Sequence, residues 1–279
     1  MFKNVLVGVD GGAGSRDAIA LATRLTDPQG KLTLAHVYAG ELHPLHAITP
    51  GLPAEELEAS RILLEDERAD AKVDAQIVSV LASAPGAGLH RQAEEQHADL
   101  IVVGSCSRGA FGRAMLGDDT RVALNGSPCA VAIATRGYSQ HPRELATVGV
   151  AYNSSPESAA ALAKARELAE PSGAQLKALE VVSIPTYAFT GLMPPTIGES
   201  VDVLLTECNA RMHALEGVDG RAVYGLTGEE LAAFGDELDI LVVGSRGYGP
   251  LRRLVLGSTS DYLERHARCS LLVLPRAAE

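Results

Sequence analysis

Short unbroken apolar runs recur along the chain: VLVGV from Val5, LTLAHV ending at Val37, IVVG ending at Gly104 and AVAI after Cys129. A second series follows: TVGVA, LKALEV ending at Val181, ILVVG ending at Gly244, and LLVL after Cys269. Runs this short, apolar at successive positions, suit strands covered on both sheet faces by helices. Between them lie stretches of helical periodicity. Ala18, Ile19, Ala22 and Leu25 share one face of a helix starting near Ser15, and Leu162, Ala165, Leu168 and Ala169 share the face of another. For that second helix Ser155 is a natural N-cap, Pro156 fits the first helical position and Gly173 can end it.

The two series are one pattern repeated. VLVGVD, ending at Asp10, returns as TVGVAYN, ending at Asn153, and the runs ending at Val37 and Val181 correspond. ADLIVVGS at Gly104 returns as LDILVVGS at Gly244, and PCAVAI at Cys129 as RCSLLVL at Cys269. Four elements in the same order at nearly constant spacing mark a tandem duplication. The sequence therefore predicts two α/β domains, residues 1–136 and 145–279, joined by the polar linker Thr135 to Glu144. In each, strands alternating with helices predict a doubly wound parallel sheet.

Ligands of such sheets bind beyond the carboxyl ends of the strands, where strand order reverses. Two loops per half matter: the one after the first strand and the one after the fourth. In the second half the latter reads GSRGYGPLRRLVLGSTSDYLERH, with Gly244, Gly247 and Gly257 followed by Ser258 and Thr259. Glycines let backbone approach a ligand, successive N–H groups cradle an anion, and a helix start adds positive potential. Ser258-x-x-Asp261 has the form of a capping box. Arg246, Arg252 and Arg253 offer charge nearby, although solvated loop arginines explain them equally well.

The pattern G-x-x-G, nine residues, then G-S resembles the nucleotide-binding signature of the universal stress protein family. Gly244, Gly247, Gly257 and Ser258 match it, and the resemblance runs twice through nearly the whole chain. It implies two tandem doubly wound five-stranded parallel sheets (order 3-2-1-4-5), adenine-nucleotide alpha-hydrolase-like, packed as an internal pseudo-dimer. It also implies ATP or a related adenine nucleotide (AMP, ADP) as ligand, at Gly244, Gly247, Gly257, Ser258, Thr259, Asn153, Val181 and Arg246. A weaker counterpart in the first half comprises Asp10, Val37, Gly104 and Gly117. Val37 and Val181 match the position whose backbone meets adenine in family members, and Asp10 the carboxylate beside adenosine.

Each half departs from the signature in a different place. The first reads GSCSRGAFGRAMLGDDT: Gly104 and Gly117 remain, but Ser107 stands for the second glycine and Asp118 for the phosphate-facing serine. A carboxylate there caps a helix well and repels phosphate. A Mg²⁺ held by Asp118 and Asp119 is the sharper alternative. The second half has Asn153 in place of the carboxylate, losing charge and gaining a donor. The phosphate end is intact in the second half, the adenosine end in the first. The expectation is nucleotide binding in the second half, with the first taking AMP, adenosine or nothing.

Composition narrows the picture. The net charge of −11 disfavours nucleic acid as a partner, and no apolar run reaches bilayer-spanning length. The start lacks a signal-peptide layout, and Cys106, Cys129, Cys208 and Cys269 show neither CxxC nor metal spacing, which predicts free thiols in a cytoplasmic protein. Cys106, beside Arg108, reads as an ordinary surface thiol, and Cys129 and Cys269 as packing. His36, His43 and His46 lack carboxylate or cysteine companions at ligand spacing. No Walker lysine and no G-x-S-x-G elbow appear, so the sequence predicts a binder with at most weak ATP hydrolysis. The segments Ala39 to Glu58 and Ser183 to Ser200 are read as loops over the pockets. Their apolar residues (Leu42, Leu45, Ile48; Tyr187, Phe189, Leu192, Met193) alternatively form a surface for an unknown protein partner or a homodimer. A scaffold of the same fold that works without nucleotide is the rival function.

Overall fold

The computed structural model describes residues 1–39, 52–105, 125–142, 144–183, 196–245, 254 and 257–276. The chain falls into two compact units. One is Met1–Glu144 with Ser245–Leu256 and Leu272–Glu279; the other is Leu145–Gly244 with Gly257–Leu271.

The first repeat runs β1 (Phe2–Gly8), α1 (Ala13–Leu25), β2 (Thr26–Tyr38), α2 (Leu52–Ala71), β3 (Gln76–Leu81), α3 (Pro85–Gln96), β4 (Leu100–Gly104) and β5 (Ala130–Ala134). Its strand order is β3-β2-β1-β4-β5, with every neighbouring pair parallel. The second repeat runs β6 (Thr147–Ala151), α4 (Pro156–Ala169), β7 (Gln175–Val182), α5 (Thr196–His213), β8 (Asp219–Tyr224), α6 (Thr227–Phe234), β9 (Ile240–Gly244), α7 (Ser258–His266) and β10 (Ser270–Leu274). Its order is β8-β7-β6-β9-β10, the same topology. The reversal of order falls between β1 and β4 in the first repeat and between β6 and β9 in the second.

The predicted strands are the buried ones. Val5, Leu6, Val7, Leu34, Leu100, Ile101 and Val102 have no exposed surface, and neither do Val148, Val150, Ile240, Leu241 and Val242. The predicted helix faces also pack inward, through Ala18, Ile19, Ala22 and Leu25 on α1 and Leu162, Ala165, Leu168 and Ala169 on α4. Ser155 caps α4 as expected, accepting from the Ser158 amide. α1 begins at Ala13, two residues before Ser15, whose hydroxyl is turned back to Asp10. α2 and α5 start at Leu52 and Thr196, so the ends of both expected loops are helical instead.

Two carboxylates tie the sheets together at their amino ends. Asp99 accepts from the Lys3 and Asn4 amides at 2.7 and 2.9 Å. Its counterpart Asp239 accepts from the Ala146 and Thr147 amides at 2.8 and 2.9 Å. Each holds the start of the first strand of its repeat to the start of the fourth. The linker is likewise pinned at its beginning. Asp17, almost wholly buried on α1, accepts from the Gly137 amide at 2.8 Å and from both the amide and hydroxyl of Ser139 at 2.8 and 2.6 Å. Within the first unit, buried Leu254 exchanges backbone hydrogen bonds with Gly126 and Ser127.

Candidate functional site

The loop after the first strand is built the same way in both repeats. In the first, Asp10 Oδ1 accepts from the Gly12 amide (2.8 Å) and the Ser15 hydroxyl (2.6 Å), while the Ser15 oxygen accepts from the Asp10 amide (2.7 Å). In the second, Asn153 Oδ1 accepts from the Ser155 amide (3.2 Å), and the Ser158 oxygen accepts from the Asn153 amide (3.3 Å). Such side-chain turns fix the chain's exit from the strand and hold the polar head at the carboxyl edge of the sheet. The residue between is left-handed in both, with φ +80° at Gly11 and +61° at Ser154. The first repeat uses the residue suited to that conformation; the second holds a serine in it against steric resistance.

Replacing Asp10 by Asn153 keeps the side-chain turn but loses the serine hydroxyl bond to its head, since the Ser158 hydroxyl donates to the Ser155 carbonyl at 2.9 Å, and it changes what the free end of the side chain presents. In Asp10 that end is Oδ2, an acceptor to which no described residue donates; in Asn153 it is an amide NH₂ donor.

The second strand presents bare backbone at the same edge. In a parallel ladder, successive residues direct their amide and carbonyl to alternate sides. The Ala35 carbonyl accepts from Val9 on the β1 side, and the Tyr38 carbonyl accepts from Ala82 on the β3 side. Val37 thus faces the β1 side, two residues beyond the last β1–β2 pair, Gly8 with Ala35. Val181 stands in the same relation to Tyr152, Leu179 and Gly225. At both valines an amide and a carbonyl extend past the end of the neighbouring strand.

The fourth-strand glycine has a packing role that the sequence reading did not assign. A Cβ on Gly104 would lie 2.3 Å from the Gly14 carbonyl oxygen and 2.6 Å from its Cα; one on Gly244 would lie 2.9 Å from the Glu157 Cβ and carbonyl oxygen. The first glycine of the signature lets the first-turn backbone of α1 or α4 approach the strand end.

The capping box at α7 is a correction. The N-cap is Gly257, in extended conformation, and Ser258 is the first helical residue, so Asp261 lies in the first turn with its amide bonded to the Gly257 carbonyl at 3.0 Å. The Asp261 carboxylate instead pairs with Arg265 one turn on. Gly257 brings no side chain to the helix front, Ser258 is exposed and Thr259 half-buried. Glycine is a competent N-cap and leaves room that a serine side chain would fill.

Gly244, Gly257, Ser258, Thr259, Asn153 and Val181 thus sit at the strand ends and helix start where the sequence reading expects them. Asp10, Val37 and Gly104 do so in the first repeat. Gly247, Arg246, Arg252 and Arg253, like Gly117, Asp118, Asp119 and Cys106, lie outside the described residues. So do His43, His46 and the apolar residues expected to cover the pockets. Among the described residues, no group of three or more His, Cys, Asp or Glu is placed to hold a metal ion, and no helix is long and apolar enough to cross a membrane. Cys129, Cys208 and Cys269 are free and buried, and burial pushes the thiols of Cys129 and Cys269 up to about 12. Cys129 and Cys269 immediately precede β5 and β10.

Sequence reasoning missed a polar cluster beneath β2. His36 Nδ1 lies 2.9 Å from the Ser60 oxygen, and Ser60 donates to Ser79 at 2.8 Å. The place of His36 is taken in the second repeat by Glu180, buried and paired with Arg211 Nη2 at 2.9 Å, which also donates to the Cys208 sulfur. The available signal was the polar residue one place before the end of each run, His36 in LTLAHV and Glu180 in LKALEV.

A twice-repeated doubly wound sheet with glycine-lined strand ends defines the class, and comparison with known proteins defines the family. The model of the universal stress protein family matches residues 1–135 and again residues 145–275. This chain belongs to that family, as a tandem two-domain member with a role in the stress response. Universal stress protein Rv2005c of Mycobacterium tuberculosis is 28% identical over 294 residues, covering 96% of each chain. Universal stress protein Rv2624c of the same organism is 25% identical over 282 residues, covering 99% of this chain and 97% of the relative. Among solved structures, a universal stress protein from Archaeoglobus fulgidus superposes with a TM-score of 0.67 at 19% identity, covering 98% of each chain. That likeness establishes the fold.

Proposed function

We propose that the second repeat, residues 145–279, binds an adenine nucleotide, ATP in the first instance, and that the protein acts as a nucleotide-sensing module in the cytoplasmic stress response. The observation that carries this reading is the convergence at one sheet edge of three different recognition elements. The Val181 amide and carbonyl, extending past β6, offer a donor and an acceptor to the edge of a purine. Asn153 offers a polar head, held at the strand end by its own turn, to a ribose hydroxyl. Gly244 and Gly257 bracket the signature loop, and α7 starts directly behind Gly257, where helix amides and dipole favour phosphate. Ser258 and Thr259 supply hydroxyl donors there, and Arg246 and Gly247 belong to the loop between. The site needs no charged residue beyond that loop to hold an anion, which suits a chain of net charge −11.

The first repeat, residues 1–136, is proposed as the weaker site. Asp10, Val37, Gly104 and Gly117 serve the nucleoside end, and Asp118 disfavours a triphosphate. Calorimetric titration of the purified chain with ATP, ADP and AMP, with and without Mg²⁺, tests the proposal. ATP binding is expected to weaken at least about tenfold in Gly247→Val, where a side chain enters the anion loop. Equal affinity in the two proteins removes the loop from the mechanism. No binding to either leaves a scaffold that works through protein contacts.

A further inference from the structure

We propose that the turn at Gly126 and Ser127 of the first repeat is a positioning element for the phosphate end of the second repeat's nucleotide site, acting through Leu254. Its consequence rests on the reading of the loop from Gly244 to Ser258 as an anion loop. The tether itself rests on backbone geometry alone.

Leu254 has no exposed surface. Its carbonyl accepts from the Gly126 amide at 2.8 Å, and its amide donates to the Ser127 carbonyl at 3.0 Å. Both bonds join main-chain groups, so donor and acceptor are fixed by chemistry, and both polar groups of Leu254 are engaged at once. Leu254 groups with the first unit, whereas Gly257, three residues further on, groups with the second. Three residues of chain span at most about 10–11 Å. Gly257 is the N-cap of α7, at whose front lie the amides and the Ser258 hydroxyl proposed to meet phosphate. Arg252 and Arg253 immediately precede Leu254 in the chain. A fixed Leu254 therefore limits the reach of both.

The turn is built for this task. Gly126 has φ +85°, a left-handed conformation that suits glycine. Ser127 is wholly buried, and its hydroxyl donates to the Cys129 carbonyl at 2.9 Å, which fixes the approach to β5. At the corresponding positions of the second repeat, His266 and Ala267 close α7, and the Ala267 amide is bonded to the Leu263 carbonyl. Those positions form no left-handed turn, so the device belongs to the first repeat. That repeat has Ser107 and Asp118 where the signature has glycine and serine. It keeps a part in phosphate binding by holding the loop of its sibling.

A loop already ordered before the ligand arrives binds it more tightly, and apparent affinity falls with the fraction of chains whose loop is in place. Loosening the tether therefore weakens a ligand that carries phosphates. It leaves adenosine, which is offered Val181 and Asn153, unaffected.

The test combines calorimetric titration of the full chain, using ATP and adenosine as probes, with amide NMR of the ligand-free protein. The variants are Gly126→Ala, Leu254→Ala and Leu254→Met. Gly126→Ala strains the turn through its positive φ without overpacking, since the nearest neighbour of the added Cβ is the His90 ring at 3.7 Å. Leu254→Met nearly keeps the buried volume. ATP is expected to bind about fivefold or more weakly in Gly126→Ala and Leu254→Ala, adenosine to stay within about twofold, and Leu254→Met to match wild type. In Gly126→Ala the Gly257 and Ser258 amide signals are expected to move while those of Val148 and Val150 in β6 stay. Unmoved Gly257 and Ser258 signals overturn the proposal, as does ATP binding at wild-type strength in Gly126→Ala. Equal weakening of ATP and adenosine also overturns it, because that marks a general loss of structure. Shifted signals in a protein whose wild type takes up no ATP uphold the tether and remove the nucleotide reading of the second repeat.

Discussion

Gly104→Ala and Gly14→Ala place one methyl group on opposite sides of the same contact, with opposite expected outcomes. A Cβ on Gly104 would stand 2.3, 2.5 and 2.6 Å from the carbonyl oxygen, carbonyl carbon and Cα of Gly14. Ordinary contact needs about 1 Å more, and both partners are backbone, so α1 or the end of β4 must move. Overpacking of this kind costs about 1–3 kcal/mol, and backbone on both sides puts this case near the top of that range. Alanine returns about 0.4–1 kcal/mol by restricting the unfolded chain. The net loss is about 2 kcal/mol, which for a unit of this size lowers Tm by about 4–8 °C. A Cβ on Gly14 would meet its nearest neighbours at 3.4 and 3.6 Å, ordinary contact, and in the first turn of α1 alanine favours the helix. That variant is expected to melt at or slightly above wild type. Differential scanning calorimetry, read at the transition of the first unit, compares the two. Equal melting temperatures, or a larger loss in Gly14→Ala, refute the close-approach argument.

Three further outcomes follow from the same geometry. Asp239→Ala removes the acceptor for two strand-start amides and is expected to cost about 1.5–3 kcal/mol in urea unfolding, whereas exposed Glu216→Ala is expected to stay within about 0.5 kcal/mol. Ser154→Gly relieves a left-handed serine and is expected to stabilise the second repeat by about 0.5–1 kcal/mol, with Gly11→Ala destabilising the first. Hydrogen bonds from Arg221 and Lys177 depress the Glu237 carboxyl to about 2, so its contribution is complete above its unfolded value and is lost as pH falls from about 4.5 towards 2. Because the group is exposed, that contribution is below about 1 kcal/mol; urea midpoints at pH 6 and pH 3 should converge for wild type and Glu237→Gln as the pH drops.

The fold was legible because its signals are redundant. Eight apolar runs recur in order, and burial of both sheet faces leaves such runs few other places to sit. The helix faces at Ala18 and Leu162 followed from periodicity, and Ser155 from cap chemistry. Ser258 misled because S-x-x-D has the form of a box, while Gly257 before it is an equally competent cap that places the serine inside the helix. Gly244 reads from sequence as an anion cradle, because its contact with Glu157 is made across the fold by residues far apart in the chain. The same distance hid Asp17, Asp99 and Asp239, whose partners are backbone amides that carry no residue identity. His36 was legible as an oddity within an apolar strand; its meaning depended on Ser60 and Ser79, from two other elements.

The most direct measurement of the central claim is mass spectrometry of the small molecules released when freshly purified, undialysed protein is denatured. The account predicts an adenine nucleotide at up to about one equivalent per chain, depleted in Gly247→Val prepared in parallel. Recovery of no nucleotide from wild type, followed by no measurable uptake of added ATP, would contradict it.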